Sequence, residues 1–350
     1  MRTVLISSAL LLMLSGVPAW AQWQPQESHS KESLRGVSVA SAREVWASGT
    51  HGTYLVTTDG GLHWTAAQLP GAEALDFRDV EAFGDTAYLL AAGPGEQSRI
   101  YKTSDRGAHW QLQFTNHEPK GFLDCMAFWD EQHGIAVGDP VGGHFQLVAT
   151  SNGGRNWEML AGPAARDSEA LFAASGTCIA TQGAKNVWFA TGGAAARVFR
   201  SRDRGLSWQA AETPIVHGSA SSGIFSVAFR DARHGVIAGG DYQHPEQGGA
   251  NLALTDDGGK TWKPAAVAPQ KYFSAVAYVS ETGWIAVVGS SGTAVSQDGL
   301  KSWSLTLPAG FNSMSAVFST GDVWAVGADG RIAHAQLGYC GTVCEGQKAR

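Results

Sequence analysis

An eight-residue pattern, Ser/Thr-x-Asp-x-Gly-x-x-Trp, recurs six times along this 350-residue chain. It first occurs as Thr57-Thr58-Asp59-Gly60-Gly61-Leu62-His63-Trp64, then in windows ending at Trp110, Trp157, Trp208, Trp262 and Trp303, at intervals of 46, 47, 51, 54 and 41 residues. A period of that length belongs to repeat architectures, in which each unit buries its apolar face only by stacking on its neighbours. Every window lies between short β-rich stretches, such as Tyr54-Leu55-Val56 and Thr65-Ala66-Ala67, and so reads as the turn of a hairpin. In such a turn a carboxylate accepts hydrogen bonds from nearby backbone N–H groups, glycine supplies positive φ, and tryptophan packs across the bend. Asp59, Asp105, Asn152, Asp203, Asp257 and Asp298 are therefore structural candidates. Asn152 keeps a usable acceptor, whereas Leu300 stands where the other windows carry glycine, so a distorted sixth turn is expected.

The surroundings of the fifth window give the clearest view of one unit. Phe225-Ser226-Val227-Ala228-Phe229 leads to Gly235-Val236-Ile237-Ala238-Gly239, then to Asn251-Leu252-Ala253-Leu254, and then to the turn and Trp262. Four short strands per unit, divided by turn residues, make one blade of a β-propeller. Units starting near Gly36, Val80, Met126, Ile179, Val227, Val276 and Ala316 predict an all-β fold, a seven-bladed β-propeller. The seventh unit runs from Met314 through Val323-Trp324-Ala325-Val326 to Ile332-Ala333-His334-Ala335 and lacks a fourth strand. Gln22-Trp23-Gln24-Pro25-Gln26 matches the outer strands Trp110-Gln111-Leu112-Gln113 and Trp208-Gln209-Ala210-Ala211. The N-terminal strand is thus expected to close the ring, which removes an open sheet edge and places Pro25 where it is tolerated.

Ahead of that strand, Met1-Arg2-Thr3, an apolar run from Val4 to Leu14, and Ala19-Trp20-Ala21 read as a signal peptide over residues 1–21. The expected organisation is a propeller over 22–337 followed by a polar tail over 338–350, in an exported protein that is periplasmic or secreted. The run is too short for a membrane span, and no cysteine follows the cleavage point to carry a lipid. Loss of Arg2 leaves 24 basic against 31 acidic residues, a charge of −7, which argues against nucleic acid as a partner. Four cysteines in an exported chain suggest disulfides. Cys340 and Cys344 are spaced to staple the tail, while Cys125 and Cys178 fall on innermost strands of adjacent blades, where buried free thiols are the default and a bridge is the alternative.

The repeated turns face one end of the ring, so a ligand site is expected at the other, built from the loops that lead into inner strands and those joining second to third strands. These loops collect Arg35, Asp76, Arg78, Asp79, Lys120, Asp124, Asp139, Arg197, His217, Asp241 and Tyr242. Mixed charge converging around a shallow channel is how such a site would be made, although any one of these residues can instead serve to cap local backbone. Asp124, Asp139, Arg197 and Asp241 are expected to converge as a recognition patch. The segments Gly138-Asp139-Pro140-Val141-Gly142-Gly143-His144 and Gly239-Gly240-Asp241-Tyr242-Gln243-His244-Pro245-Glu246 are the strongest loops in this set. Gly192-Gly193-Ala194 reads as a turn. No metal or cofactor is indicated: the histidines lie singly, and no phosphate loop, nucleophile elbow or dinucleotide fingerprint occurs.

The repeated pattern is the Asp-box, or BNR repeat. Phe122-Leu123-Asp124-Cys125-Met126-Ala127-Phe128-Trp129-Asp130, His133-Gly134-Ile135-Ala136-Val137-Gly138-Asp139-Pro140 and Gly223-Ile224-Phe225-Ser226-Val227-Ala228-Phe229 resemble the photosystem II stability/assembly factor family. That resemblance implies an exported, non-enzymatic seven-bladed scaffold; the chain is expected to be a monomer that takes a protein partner or a carbohydrate or other polymeric ligand on its upper face. A more distant resemblance to sialidases, through the Asp-boxes, implies a glycoside hydrolase as the alternative, with carboxylates drawn from Asp124, Asp139 and Asp241. The three arginines such an enzyme needs could be Arg35, Arg78 and Arg197, but its opening Phe/Tyr-Arg-Ile-Pro segment is absent.

Overall fold

The computed structural model describes residues 23–280, 283–307 and 309–337. The expected signal peptide and the Cys340 and Cys344 pair lie outside these residues. Seven antiparallel sheets follow one another along the chain and form the blades of a ring. Their innermost strands are Leu34–Val39, Phe77–Phe83, Leu123–Asp130, Ile179–Gln182, Ser222–Phe229, Ala275–Tyr278 and Ser313–Val317. Each strand begins at the upper face and ends at the lower. The only helical element among the described residues is a 3-10 turn at Gly95–Gln97.

The fourth strand of blade seven comes from the N-terminus: Gln24–Gln26 pairs antiparallel with Ile332–Gln336, with Pro25 opposite Ala333. Trp23 is buried against blade six, its indole Nε1 donating to Thr306 Oγ1 at 3.1 Å and its ring stacked 6.0 Å from Phe311. Gln26 reaches the other way into blade one, accepting from Trp64 Nε1 at 2.9 Å and donating to the Gly60 carbonyl at 3.2 Å. The closing strand therefore binds three blades at once.

The core is a series of apolar seams between neighbouring blades rather than one central mass. Alternate residues of each strand face opposite seams, as the period of two requires. The tryptophan that ends each repeated turn packs into the seam with the preceding blade: Trp110, for example, joins Trp46 and Tyr54 of blade one.

The repeated turns share one hydrogen-bond scheme. In the first, Thr57 Oγ1 donates to Asp59 Oδ1 and accepts from Gly61 N, while Asp59 Oδ1 accepts from His63 N. Backbone and side-chain donors from His63 hold the Asp59 carboxyl down at about 2. Asn152 makes the corresponding bonds to Thr150 and Asn156. The sixth turn, expected to be distorted, keeps the scheme intact: Leu300 N donates to Ser296 Oγ and Ser302 N to Asp298 Oδ1. Leu300 achieves this by adopting φ of 68° itself and burying its side chain in the seam of blades five and six.

Two further expectations are corrected. Cys125 and Cys178 are joined by a disulfide across blades three and four, their Cα atoms 6.1 Å apart. Gly192–Gly193 is a short strand, not a turn: it pairs with Glu169–Ala170 on one side, and Gly192 pairs with Gly223 on the other, extending blade five at the upper face. Only glycine permits that approach, because a Cβ on Gly192 would collide with Phe172 and the backbone of Gly223.

Candidate functional site on the upper face

Residues 171–177, which lead into the inner strand of blade four, cross the ring axis and form a plug over the central channel. Polar groups on other blades anchor it. Leu171 N donates to Asp139 Oδ1 at 2.9 Å, and Arg78 Nη1 donates to the Ala173 carbonyl at 2.8 Å. Ser175 Oγ donates to the Ser274 carbonyl, while Ser313 Oγ donates to the carbonyl of Ser175. Thr177 Oγ1 donates to Ser226 Oγ at 2.7 Å. Blades two, three, five, six and seven thus all hold the same seven-residue segment, and the Cys125–Cys178 disulfide fixes its end.

A recurring bulge redirects side chains at the upper ends of the inner strands, three of them onto the plug. In blades one, two, three and five the pairing of first and second strands skips one inner residue, namely Arg35, Arg78, Asp124 and Phe225. An unpaired bulge residue is turned out of the ladder, which is how a strand redirects a side chain. Phe225 stacks on Phe172 of the plug with ring centroids 3.9 Å apart. Tyr272 meets the edge of Phe225, and Tyr242, 47% exposed, stands edge-on to both Phe172 and Phe225. The result is a four-ring aromatic floor held rigid from beneath.

The charged candidates separate into distinct roles. Asp124 is 1% exposed and its carboxyl lies well above the usual range, chiefly through burial and the nearby Asp139, against the pull of the Asp139 and Ala173 N–H groups and Arg78. Burial likewise raises Asp139, opposed by the Leu171 N–H. These two carboxyls do come together, as plug anchors. Arg197 does not join them. It forms a buried pair with both carboxylate oxygens of Glu169 and lies over Phe199 at 4.6 Å. Burial opposes the charged form of Glu169, but bonds from Arg197, Arg166 N–H and the Thr191 hydroxyl outweigh it and lower the carboxyl. Asp241 caps its own loop through Gln243 N and His244 Nδ1. His217 faces the Ile215 carbonyl, and exposed Lys120 lies in a turn closed by its own N–H on Glu118. Asp76 grips Arg78 Nε at 2.5 Å. Arg35 forms no side-chain hydrogen bond or ion pair among the described residues, and its Nε and Asp76 Oδ1 are both buried without a partner.

Below the plug the channel is a well of about 460 Å³ that ends against Ser175, Gly176 and Thr177. Glu81 and Asp79 lie on its wall. Burial pushes Glu81 up to about 8; it also raises Asp79, which accepts from Met126 N at 2.7 Å. No group of three or more His, Cys, Asp or Glu residues placed to hold a metal occurs among the described residues, nor does any helix long and apolar enough to cross a membrane.

Sequence reasoning passed over Phe172, Ser175, Thr177, Phe225 and Tyr272. One available signal was the chain between Trp157 and the inner strand at Ile179, which is longer than the corresponding stretch from Trp110 to Leu123.

No protein-family model matches the chain. Among curated proteins it is 24% identical over 345 residues to the photosystem II assembly protein Ycf48 of Synechococcus sp. strain JA-2-3B'a(2-13), covering 83% of this chain and 93% of that one. It is 26% identical over 268 residues to the photosystem II assembly lipoprotein Ycf48 of Synechococcus sp. strain CC9902, covering 75% and 71%. Among solved structures, YCF48 bound to D1 peptide superposes with a TM-score of 0.65 at 15% identity, over 89% of this chain and 96% of that one. The RRP9 WD40 repeats match equally well at 0.65 and 15% identity, over 92% and 99%, so the superposition speaks for the propeller fold alone. By sequence, the chain is similar to the Ycf48 photosystem II assembly proteins over most of its length.

Proposed function

We propose that this protein is an exported, non-catalytic propeller that docks an extended segment of a protein partner on its upper face. The observation that carries this is the plug: it closes the channel and, with buried Phe225 and Tyr272 beneath, holds half-buried Phe172 and exposed Tyr242 as a fixed aromatic surface. Rigid aromatic side chains give a large contact area at little entropic cost and dominate binding hot spots. The relatives are named as assembly proteins, and one was solved with a D1 peptide, so a polypeptide is a ligand class found in this group. The glycoside hydrolase alternative needs two carboxyls opening on one cleft. Asp124 is sealed and Asp139 is engaged by the plug, which favours binding over hydrolysis. Export follows from the leader-like residues 1–21, with the periplasm or the medium as destination and a monomeric ring over 22–337 as the working form.

A photo-crosslinking amino acid placed at Tyr242 in living cells tests this, with the exposed His63 on the lower face as the control position. A discrete protein adduct at 242 and none at 63 is the expected result. Equal adducts at both positions, or turnover of a chromogenic glycoside that Asp139→Asn lowers about a hundredfold, would replace this function with another.

A further inference from the structure

Around the plug, carboxyls outnumber the cations free to neutralise them. At its start, buried Asp124 leaves its Oδ2 without a partner, while Asp139 Oδ1 accepts from Leu171 N. At its end, buried Asp79 lies against Gly176, where a Cβ would strike its Oδ1. Glu81, on the same strand, shares the wall of the well with Asp79. Residues 171–177 carry no charge of their own. The nearby cations are committed: Arg78 to Asp76 and the Ala173 carbonyl, Arg230 on the well wall to Asp231 at 3.6 Å, and Arg197 to Glu169 just ahead of Leu171. Arg35 faces Arg78 and Asp76, and burial keeps Tyr278 on the well wall neutral.

A carboxyl oxygen sealed from water with no donor is stable only in the neutral acid, and two carboxyls side by side cannot both ionise without cost. We propose that the plug is a pH-released stopper, seated while Asp124, Asp139, Asp79 and Glu81 hold protons and lifted from the channel when they ionise. Burial raises all four carboxyls, and like charge adds to it, Asp139 acting on Asp124 and Glu81 on Asp79. A carboxyl raised in the fold stabilises it fully below the ordinary carboxylate range at about 4 and loses that contribution as pH rises, Glu81 completing its loss at about 8. The turns of the lower face have the opposite sign. Asp59, Asp105 and Asp298 are held at about 2, so their contribution stays constant above the ordinary range and is lost only in acid. Rising pH therefore loosens one end of the ring and leaves the other unchanged. Phe172 leaves with the plug, so the stopper governs whether that ring is presented, but its release does not depend on what docks above.

Amide exchange of the full chain, read by overlapping peptides from about pH 5 to about pH 9 with each rate divided by that of the free peptide, tests the stopper. Protection of 171–177 should fall about tenfold or more across this range, while the hairpin turns at 57–64 and 103–110 keep theirs. Asp139→Asn retains an acceptor for Leu171 N, and Asp124→Asn can place its amide nitrogen where Oδ2 meets no donor. The two together should flatten the pH profile at 171–173, and Glu81→Gln should flatten it at 175–177. The wild-type profile decides even where a variant fails to fold. Protection of 171–177 that is flat with pH, or that falls in step with the two turns, overturns the stopper, and so does an unaltered fall in the variants that fold.

Discussion

Leu300 shows how one residue can satisfy two opposed demands. The turn requires positive φ at this position, met by Gly61, Gly107, Gly154, Gly205 and Gly259 in the other copies. A leucine there carries a backbone penalty of about 1–2 kcal/mol. Its side chain, however, is wholly buried between blades five and six, and removing a buried leucine costs about 2–5 kcal/mol. Packing is the larger effect. Leu300→Gly, which restores the common turn residue, should therefore destabilise the protein by about 1–3 kcal/mol in urea unfolding. A gain in stability would show that turn strain, not the seam, governs this position. The pattern of the sequence marks Leu300 only as a departure, because the seam that rewards the side chain is made by residues such as Val236 and Leu252, far outside the eight-residue window.

Elements differ in how visibly the chain encodes them, and the difference follows the span of their hydrogen bonds. The repeated turns are closed by bonds between residues two to four apart, such as Thr57 with Asp59 and Gly61, so their residue types recur as a readable motif. The strands are legible for a similar reason, since alternation and turn residues are local. The plug is held by bonds spanning 49, 99 and 138 residues, from Thr177 to Ser226, Ser175 to Ser274, and Ser313 to Ser175. Serine and threonine in a loop carry no local sign of such partners. Polar loop residues such as Asp124, Asp139 and Arg78 were visible as candidates, but whether they would face a ligand or hold the plug was not. The disulfide offers a way to test the plug as a unit, because Cys178 terminates it and Cys125 follows the anchoring Asp124. Replacing both cysteines by serine should lower stability by about 2–5 kcal/mol and speed amide exchange at 171–177 more than elsewhere in blade four. Unchanged protection of the plug would mean that its side-chain anchors suffice.

At the scale of the whole molecule, a ring of blades has no single core to hold it together, and its stability depends on every seam being present. Blade seven is the point where the two ends of the chain must meet, and the three-residue ladder at Gln24–Gln26 is short for that task. What reinforces it is side-chain contact on both flanks: Trp23, 3% exposed, fills the seam with blade six, while Gln26 bridges to Trp64 and Gly60 of blade one. Removing a buried tryptophan costs about 3–5 kcal/mol, a large part of the 5–15 kcal/mol by which domains are usually stable. Trp23→Ala should therefore lower the melting temperature sharply. Deletion of residues 22–26 should go further, exposing the Ile332–Gln336 edge to pairing with another chain and producing concentration-dependent association. The two effects can be separated by melting each variant at several protein concentrations and sizing it by light scattering. A deletion variant that stays monomeric and melts like the parent would show that the ring holds without its closing strand.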